Sequence, residues 1–122
     1  MDQRVEYVAS FIRSNYHRRL TLTEMADCVH LSPWRLCHLF QEGMGTSPQR
    51  FLTQVRLEEA RKLLTTEFLT VKEVMNRVGM SDASSFARSF KAAYGTTPAK
   101  YRVEAKTVSS TGKRRQRRAT QS

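Results

Sequence analysis

The sequence has few of the residues that mark secreted, membrane or large catalytic proteins. Its two cysteines, Cys28 and Cys37, cannot form the disulfide framework of a small secreted domain, so we expect reduced thiols. No segment approaches the roughly 20 consecutive apolar residues of a membrane helix, and the first residues lack the apolar run of a signal peptide. With 122 residues the chain has the size of one ordinary domain, and we expect it in the cytoplasm without a membrane partner.

Acidic residues are scarce relative to basic ones. The chain has 11 Asp and Glu against 21 Lys and Arg, a formal net charge of +10. This balance favours a polyanionic partner, with nucleic acid first. The motifs of a nucleophile elbow, a phosphate-binding glycine loop and a metalloprotease helix are also missing from the sequence. We therefore expect no enzyme, no catalytic residue and no cofactor.

The positive charge is concentrated at the end of the sequence. Residues 103–122 contain six basic residues, one acidic residue and almost nothing to bury. We expect a disordered basic tail that follows a folded domain over residues 1–102. Two roles remain open for this tail: a general attraction to phosphates, or an arm that reaches a DNA groove or a second partner.

An internal repeat organises the folded part. Segment 20–51 resembles segment 69–101, with one extra residue in the second copy. Each copy opens with a threonine followed three residues later by glutamate, the spacing of a helix-capping box. The motif pairs are Thr21 with Glu24 and Thr70 with Glu73.

Each copy predicts two short helices joined by a tight turn. Ser32 and Ser81 are the expected caps of the second helix of each pair. The turn favours a positive φ, which Gly79 adopts without strain and His30, at the matching place, adopts less easily. The predicted second helices span about 33–44 and 82–94.

The remaining segments are also helical in pattern. A long helix over 48–67 is expected to link two subdomains at 4–47 and 68–102, and an amphipathic helix precedes the first pair. We count about seven helices and no convincing strand, so the expected fold class is all-α. Two short helices joined by a turn, with a polar outer face on a basic chain, form the helix-turn-helix pattern.

At this point residues 4–102 resemble the DNA-binding domain of the AraC/XylS family of bacterial transcription regulators. The resemblance is carried by Arg56-Leu57-x-x-Ala60-x-x-Leu63-Leu64 and by the stretch from Val74 to Lys91. The closing Tyr94-Gly95-Thr96-Thr97-Pro98-x-Lys100-Tyr101-Arg102 is its most specific part. The resemblance implies two recognition helices that enter successive major-groove segments of promoter DNA, about 34 Å apart. It also implies a bacterial, nucleoid-associated activator that contacts RNA polymerase and binds DNA as a monomer.

Site residues follow from the resemblance by position. Arg88 is the leading candidate, because a guanidinium can donate to both acceptors on the guanine edge. The implied base-contacting residues are Trp34, Cys37, His38, Gln41, Ser84, Ser85 and Arg88. The implied phosphate-contacting residues are Arg35, Arg50, Lys100 and Arg102.

Several alternatives stay open from the sequence alone. The chain could be a basic architectural protein that binds nucleic acid without sequence preference, or a helical adaptor for protein partners. It could be a minimal stand-alone regulator, which Met1 favours, or the DNA-binding fragment of a larger ligand-responsive one. Trp34 could belong to the core. A zinc site is conceivable from Cys28, His30, Cys37 and His38, although this spacing matches no common zinc motif, and we expect no metal.

Overall fold

The computed structural model of the protein describes residues 1–66 and 68–105. Seven α-helices and no β-strand lie within these ranges, which confirms the all-α fold class. None of these helices is long and apolar enough to cross a membrane. The helices are α1 (Gln3–Asn15), α2 (Leu22–Cys28), α3 (Pro33–Met44), α4 (Pro48–Leu63), α5 (Val71–Arg77), α6 (Ala83–Tyr94) and α7 (98–105).

The ends of α4 and α7 differ from those that the sequence predicts. Helix α4 ends at Leu63 instead of residue 67, because Thr65 donates its hydroxyl to the carbonyl of Lys62 at 2.7 Å and so replaces the next helical bond. Helix α7 continues through residue 105, so residues 103–105 are helical although we expected them in the tail. The rest of the predicted tail, residues 106–122, lies outside the described residues.

The chain forms two compact units, Met1–Glu58 and a second unit from Glu59 onward, so the division falls inside α4. In the first unit, α1, α2 and α3 pack against one another. The Phe40 and Phe51 rings meet edge to face, with 5.5 Å between their centroids. Buried side chains of this unit include Val5, Val8, Ile12, Leu20, Met25, Leu36, Phe40, Phe51 and Val55.

One arginine ties the middle of α4 to the connection between α1 and α2. Nε of Arg56 donates to the carbonyl of Tyr16, and Nη2 donates to the carbonyl of Arg18, both at 2.8 Å. Burial lowers the pKa of Arg56 from its ordinary value, but an arginine stays protonated at neutral pH. The charged hydrogen bonds therefore offset part of the cost of burying this side chain.

The second unit, like the first, is held together by packed helices and by contacts between aromatic rings. Helix α5 packs on α6, and the Phe90 ring contacts the Phe86, Tyr94 and Tyr101 rings. The guanidinium of Arg61 lies 5.3 Å from the centroid of the Tyr94 ring, within cation–π range. Further buried residues of this unit are Ala60, Leu64, Val74, Met75 and Val78.

The predicted threonine caps of α2 and α5 are confirmed, but only one capping box is complete. Thr70 accepts from the Glu73 amide, and the Glu73 carboxylate accepts from the Thr70 amide. Thr21 accepts from the Glu24 amide in the same way. The Glu24 carboxylate instead binds Arg18, at 2.7 Å, and this guanidinium lowers the pKa of Glu24.

The turn between α2 and α3 and the turn between α5 and α6 share one hydrogen-bond pattern, and each contains a residue with positive φ. Leu31 donates its amide to the carbonyl of Ala26, and Met80 donates to that of Met75, both at 3.0 Å. This bond closes a helix C-terminus around a residue with positive φ. That residue is His30 in the first unit, at φ 58°, and Gly79 in the second, at φ 88°.

Replacing His30 by glycine is expected to raise the free energy of unfolding by about 0.5–1 kcal/mol. The left-handed conformation costs a residue with a Cβ about 1–2 kcal/mol, and the greater flexibility of unfolded glycine cancels part of this gain. His30 is exposed, so its side chain contributes little packing. Urea denaturation followed by circular dichroism measures the change. Gly79→Ala is the matched control and should destabilise; a less stable His30→Gly variant would contradict the argument.

Candidate nucleic-acid interface

The predicted recognition helices, α3 and α6, bury side chains at equivalent positions. Leu36 and Phe40 are buried on α3, and Phe86 and Phe90 occupy the equivalent places on α6. Every position from 33 to 50 has the same burial as the position fifty residues later, with one exception at Arg35 and Ser85. The two helices therefore present equivalent outward positions to solvent.

The outward face of α3 carries a pair of rings in contact. The Trp34 side chain is 68% exposed, so Trp34 does not belong to the core. Its ring lies 4.0 Å from the ring of His38, centroid to centroid, with the planes tilted by 44°. Three further predicted contact residues lie along the helix: Arg35 and Gln41 are exposed, and Cys37 is half-buried.

Helix α6 begins one residue later than we expected. The cap is Asp82, not Ser81, and the helix spans Ala83–Tyr94. The second copy has one extra residue, which lengthens the turn before α6. The Asp82 carboxylate is charged and longer than a serine hydroxyl, and its two oxygens can accept from two donors. Position 82 is thereby equivalent to the cap Ser32 of α3.

The cap of α6 also contacts the predicted base-contacting residues. Asp82 accepts from the Ser84 amide at 3.1 Å and from the Ser85 hydroxyl at 2.8 Å. Nη2 of Arg88 lies 3.5 Å from the same hydroxyl oxygen, the limit of a hydrogen bond. Ser84 and Arg88 are exposed, while Ser85 is half-buried. The structure thus brings Ser84, Ser85 and Arg88 together around a carboxylate that the sequence interpretation left out.

Electrostatics of this cluster favour an ionised Asp82. The hydrogen bond from Ser85 lowers the pKa of this carboxyl, as do the Ser84 amide and the charge of Arg88. An aspartate at a helix cap with a serine three residues later is a recognisable sequence signal, and it could have pointed to this arrangement.

The predicted phosphate contacts occupy the starts of α4 and α7. Ser47 and Thr97 cap these helices by accepting from the amides of Arg50 and Lys100, both at 3.2 Å. The Arg50 and Lys100 side chains are exposed, at helix ends whose dipole favours anions. Arg102 differs, because it is half-buried and donates to the carbonyl of Thr66 at 3.1 Å.

The residues of the conceivable zinc site do not converge. Within residues 1–66 and 68–105, no three His, Cys, Asp or Glu side chains form a group that could hold a metal ion. Both cysteines are free thiols and half-buried, and burial raises the pKa of Cys28.

Sequence comparison finds relatives among transcription regulators. A family model described as a helix-turn-helix domain matches residues 25–104. The raffinose operon transcriptional regulatory protein RafR of Pediococcus pentosaceus is 36% identical over 93 residues, which are 76% of this chain and 34% of RafR. The chain therefore spans about a third of the length of that relative.

Structure comparison finds the same fold in DNA-binding domains. A probable AraC family transcriptional regulator from Rhodopseudomonas palustris aligns with a TM-score of 0.79 at 27% identity, covering 85% of this chain and 98% of that one. The DNA-binding domain of AdpA, solved in complex with a target DNA, aligns with a TM-score of 0.80 over 84% of this chain and 93% of that one. At 23% identity the AdpA domain shares the fold.

Replacing Trp34 by alanine is expected to leave the free energy of unfolding within about 0.5 kcal/mol of the wild type, because the ring is mostly in solvent. Phe40→Ala, one helical face away, should cost about 3–5 kcal/mol because it empties a buried site. Urea denaturation monitored by circular dichroism at 222 nm compares both variants. A large loss of stability for Trp34→Ala would show instead that Trp34 contributes to the core.

Proposed function

The chain belongs to the AraC-type family of helix-turn-helix DNA-binding transcription regulators, and from this membership we propose that it binds promoter DNA sequence-specifically through α3 and α6. The observation that carries the proposal is the repeated burial pattern, which turns equivalent positions of both helices toward solvent. Each helix would enter the major groove of duplex DNA, in successive segments about 34 Å apart. The two subdomains, 4–47 and 68–102, would flank a linker within 48–67.

The two helices would recognise bases by different chemistry. On α3, the Trp34 ring offers an apolar plane for a thymine methyl, and His38 and Gln41 add hydrogen-bonding atoms. Cys37 lies at the edge of this face. On α6, the Arg88 guanidinium can donate to N7 and O6 of guanine, while Ser84 and Ser85 are short and discriminate weakly.

Backbone phosphates would be held mainly at the starts of α4 and α7. Arg50 and Lys100 are exposed there, and Arg35 is exposed in the first turn of α3. Arg102 would contribute less than these, because its guanidinium already binds the Thr66 carbonyl. Such contacts set the register of the protein on DNA and release counterions.

The biological role follows by analogy with the family. We propose a non-catalytic, nucleoid-associated bacterial transcription regulator. It would bind DNA as a monomer, because one chain supplies both proposed recognition helices. Activation through contact with RNA polymerase is the family's usual mode. A basic protein without sequence preference is the competing outcome, and the next experiment separates the two.

Selection of bound duplexes from a random DNA pool at near-physiological salt should yield two conserved boxes about one helical turn apart. With Arg88→Ala, one box should lose its preference for guanine, a discrimination of about 1–3 kcal/mol. Arg77→Ala is the matched control: it removes the same charge from an exposed position of α5 and should keep both boxes. Tight binding without any enriched motif would establish the charge-driven binder instead.

The single tryptophan of the chain provides a direct measure of binding. Because Trp34 lies on the outward face of α3, titration with the selected duplex should change its fluorescence as the ring leaves water. Unchanged fluorescence at saturating DNA would place the bound duplex away from α3.

Replacing Arg50 or Lys100 by alanine should weaken binding to all duplexes by a similar factor. Each change should reduce the slope of log K against log salt by about 1, because one counterion fewer is released. Arg19→Ala, at an exposed position between α1 and α2, controls for the loss of one charge. An unaltered salt slope for Arg50→Ala or Lys100→Ala would remove that residue from the phosphate contacts.

A further inference from the structure

Helix α6 begins at a carboxylate whose two oxygens have different partners. Oδ1 of Asp82 accepts from the Ser84 amide at 3.1 Å, which caps the helix. Oδ2 accepts from the Ser85 hydroxyl at 2.8 Å. One residue therefore caps the helix with one oxygen and binds a neighbouring side chain with the other.

The second contact determines the direction of a short hydrogen-bond chain. A serine hydroxyl has one hydrogen, and Ser85 donates it to Asp82, so only the lone pairs of Ser85 remain. An arginine has donors and no acceptor. The Nη2 of Arg88, 3.5 Å from the Ser85 oxygen, can therefore approach it only as a donor. The order runs from Arg88 to Ser85 to Asp82, with the negative charge at its end.

The first recognition helix lacks this arrangement. Its cap Ser32 is uncharged and accepts only from the Arg35 amide, at 3.1 Å. Arg35 occupies the place that Ser85 has on α6, and within positions 33–50 and 83–100 this is the one pair whose burial differs. Arg35 is exposed, whereas Ser85 is half-buried beside the Asp82 carboxylate.

A carboxylate at this place has two effects on an arginine one turn away. It draws the guanidinium toward the start of α6 and restricts the rotamers of a long, flexible side chain. It also repels phosphate oxygens, so that the start of α6 disfavours a DNA backbone that its dipole would otherwise attract. Both effects favour contact between Arg88 and a base edge.

We propose that Asp82 is a positioning and specificity-determining residue that acts through Ser85 and directs Arg88 to guanine instead of to the phosphate backbone. This inference rests on the proposed function, since it requires that α6 contacts bases. It assigns to a helix cap a part in the choice of DNA sequence.

The test measures the dissociation constants of the full chain for the selected duplex, for a duplex with the guanine of the α6 box replaced, and for an unrelated duplex. Asp82→Asn retains a side-chain oxygen for the cap but replaces the oxygen that accepts from Ser85. We expect the preference for guanine to fall about tenfold, and affinity for the unrelated duplex to rise as one negative charge is lost. Glu104→Gln, which removes one exposed negative charge from α7, should raise affinity without changing the preference.

Serine variants separate positioning from a purely structural role. Ser85→Ala should lower the guanine preference as Asp82→Asn does, and Ser85→Thr should restore it because the hydroxyl is kept. In the Arg88→Ala background, Asp82→Asn should change the preference no further, because its effect passes through Arg88. Thermal unfolding of each variant, followed by circular dichroism, confirms that α6 remains folded.

Two results would overturn the proposal. One is an unchanged guanine preference in folded Asp82→Asn; the other is an equal loss of preference with and without Arg88. A wild-type chain that binds the three duplexes equally would overturn both this inference and the proposed function. These outcomes are distinguishable, because the last is seen before any residue is changed.

Discussion

The structure depends on the burial of two large side chains, four residues apart, on the inner face of α3 and of α6. This burial fixes the rotation of α3 and α6 about their own axes, because turning either helix would expose two core residues: Leu36 and Phe40, or Phe86 and Phe90. The direction of the outward face of each helix follows from this burial. Trp34 and Arg88 face solvent because the opposite sides of their helices are apolar.

Local side chains then decide where each helix begins. Serine, threonine or aspartate caps satisfy free amides at the starts of α2, α3, α5 and α6, and proline follows the caps of α4 and α7. A cap also determines which residues occupy the first turn, which is the part of a recognition helix nearest the DNA bases. In α6 the cap is charged, and it accepts hydrogen bonds from Ser84 and Ser85. In α3 the equivalent positions 34 and 38 carry the tilted ring pair of Trp34 and His38.

Much of this could be predicted from the sequence, because the signals are local and occur twice. The caps Thr21, Thr70 and Ser32 were correct, as was the positive φ of His30. Errors arose where neighbouring residues compete for one role. Ser81 and Asp82 are both good caps, and the helix begins after the second, whose carboxylate accepts from the Ser84 amide. The contacts of Arg56 with carbonyls nearly forty residues away, and the half-burial of Arg102, depend on tertiary packing that no local pattern contains. The predicted DNA contacts remain predictions.

The repeated burial pattern has a consequence for how such a protein evolves. The buried positions of α3 and α6 are occupied by residues of similar kind, whereas two exposed pairs differ in kind: Trp34 is matched by Ser84, and His38 by Arg88. Substitutions at the latter positions change little of the free energy of folding, since they touch little of the core. After duplication, each copy could therefore acquire its own DNA preference through substitutions that leave the free energy of folding nearly unchanged. A chain of this construction tolerates substitutions on the outward faces of α3 and α6 far better than at the buried positions of these helices.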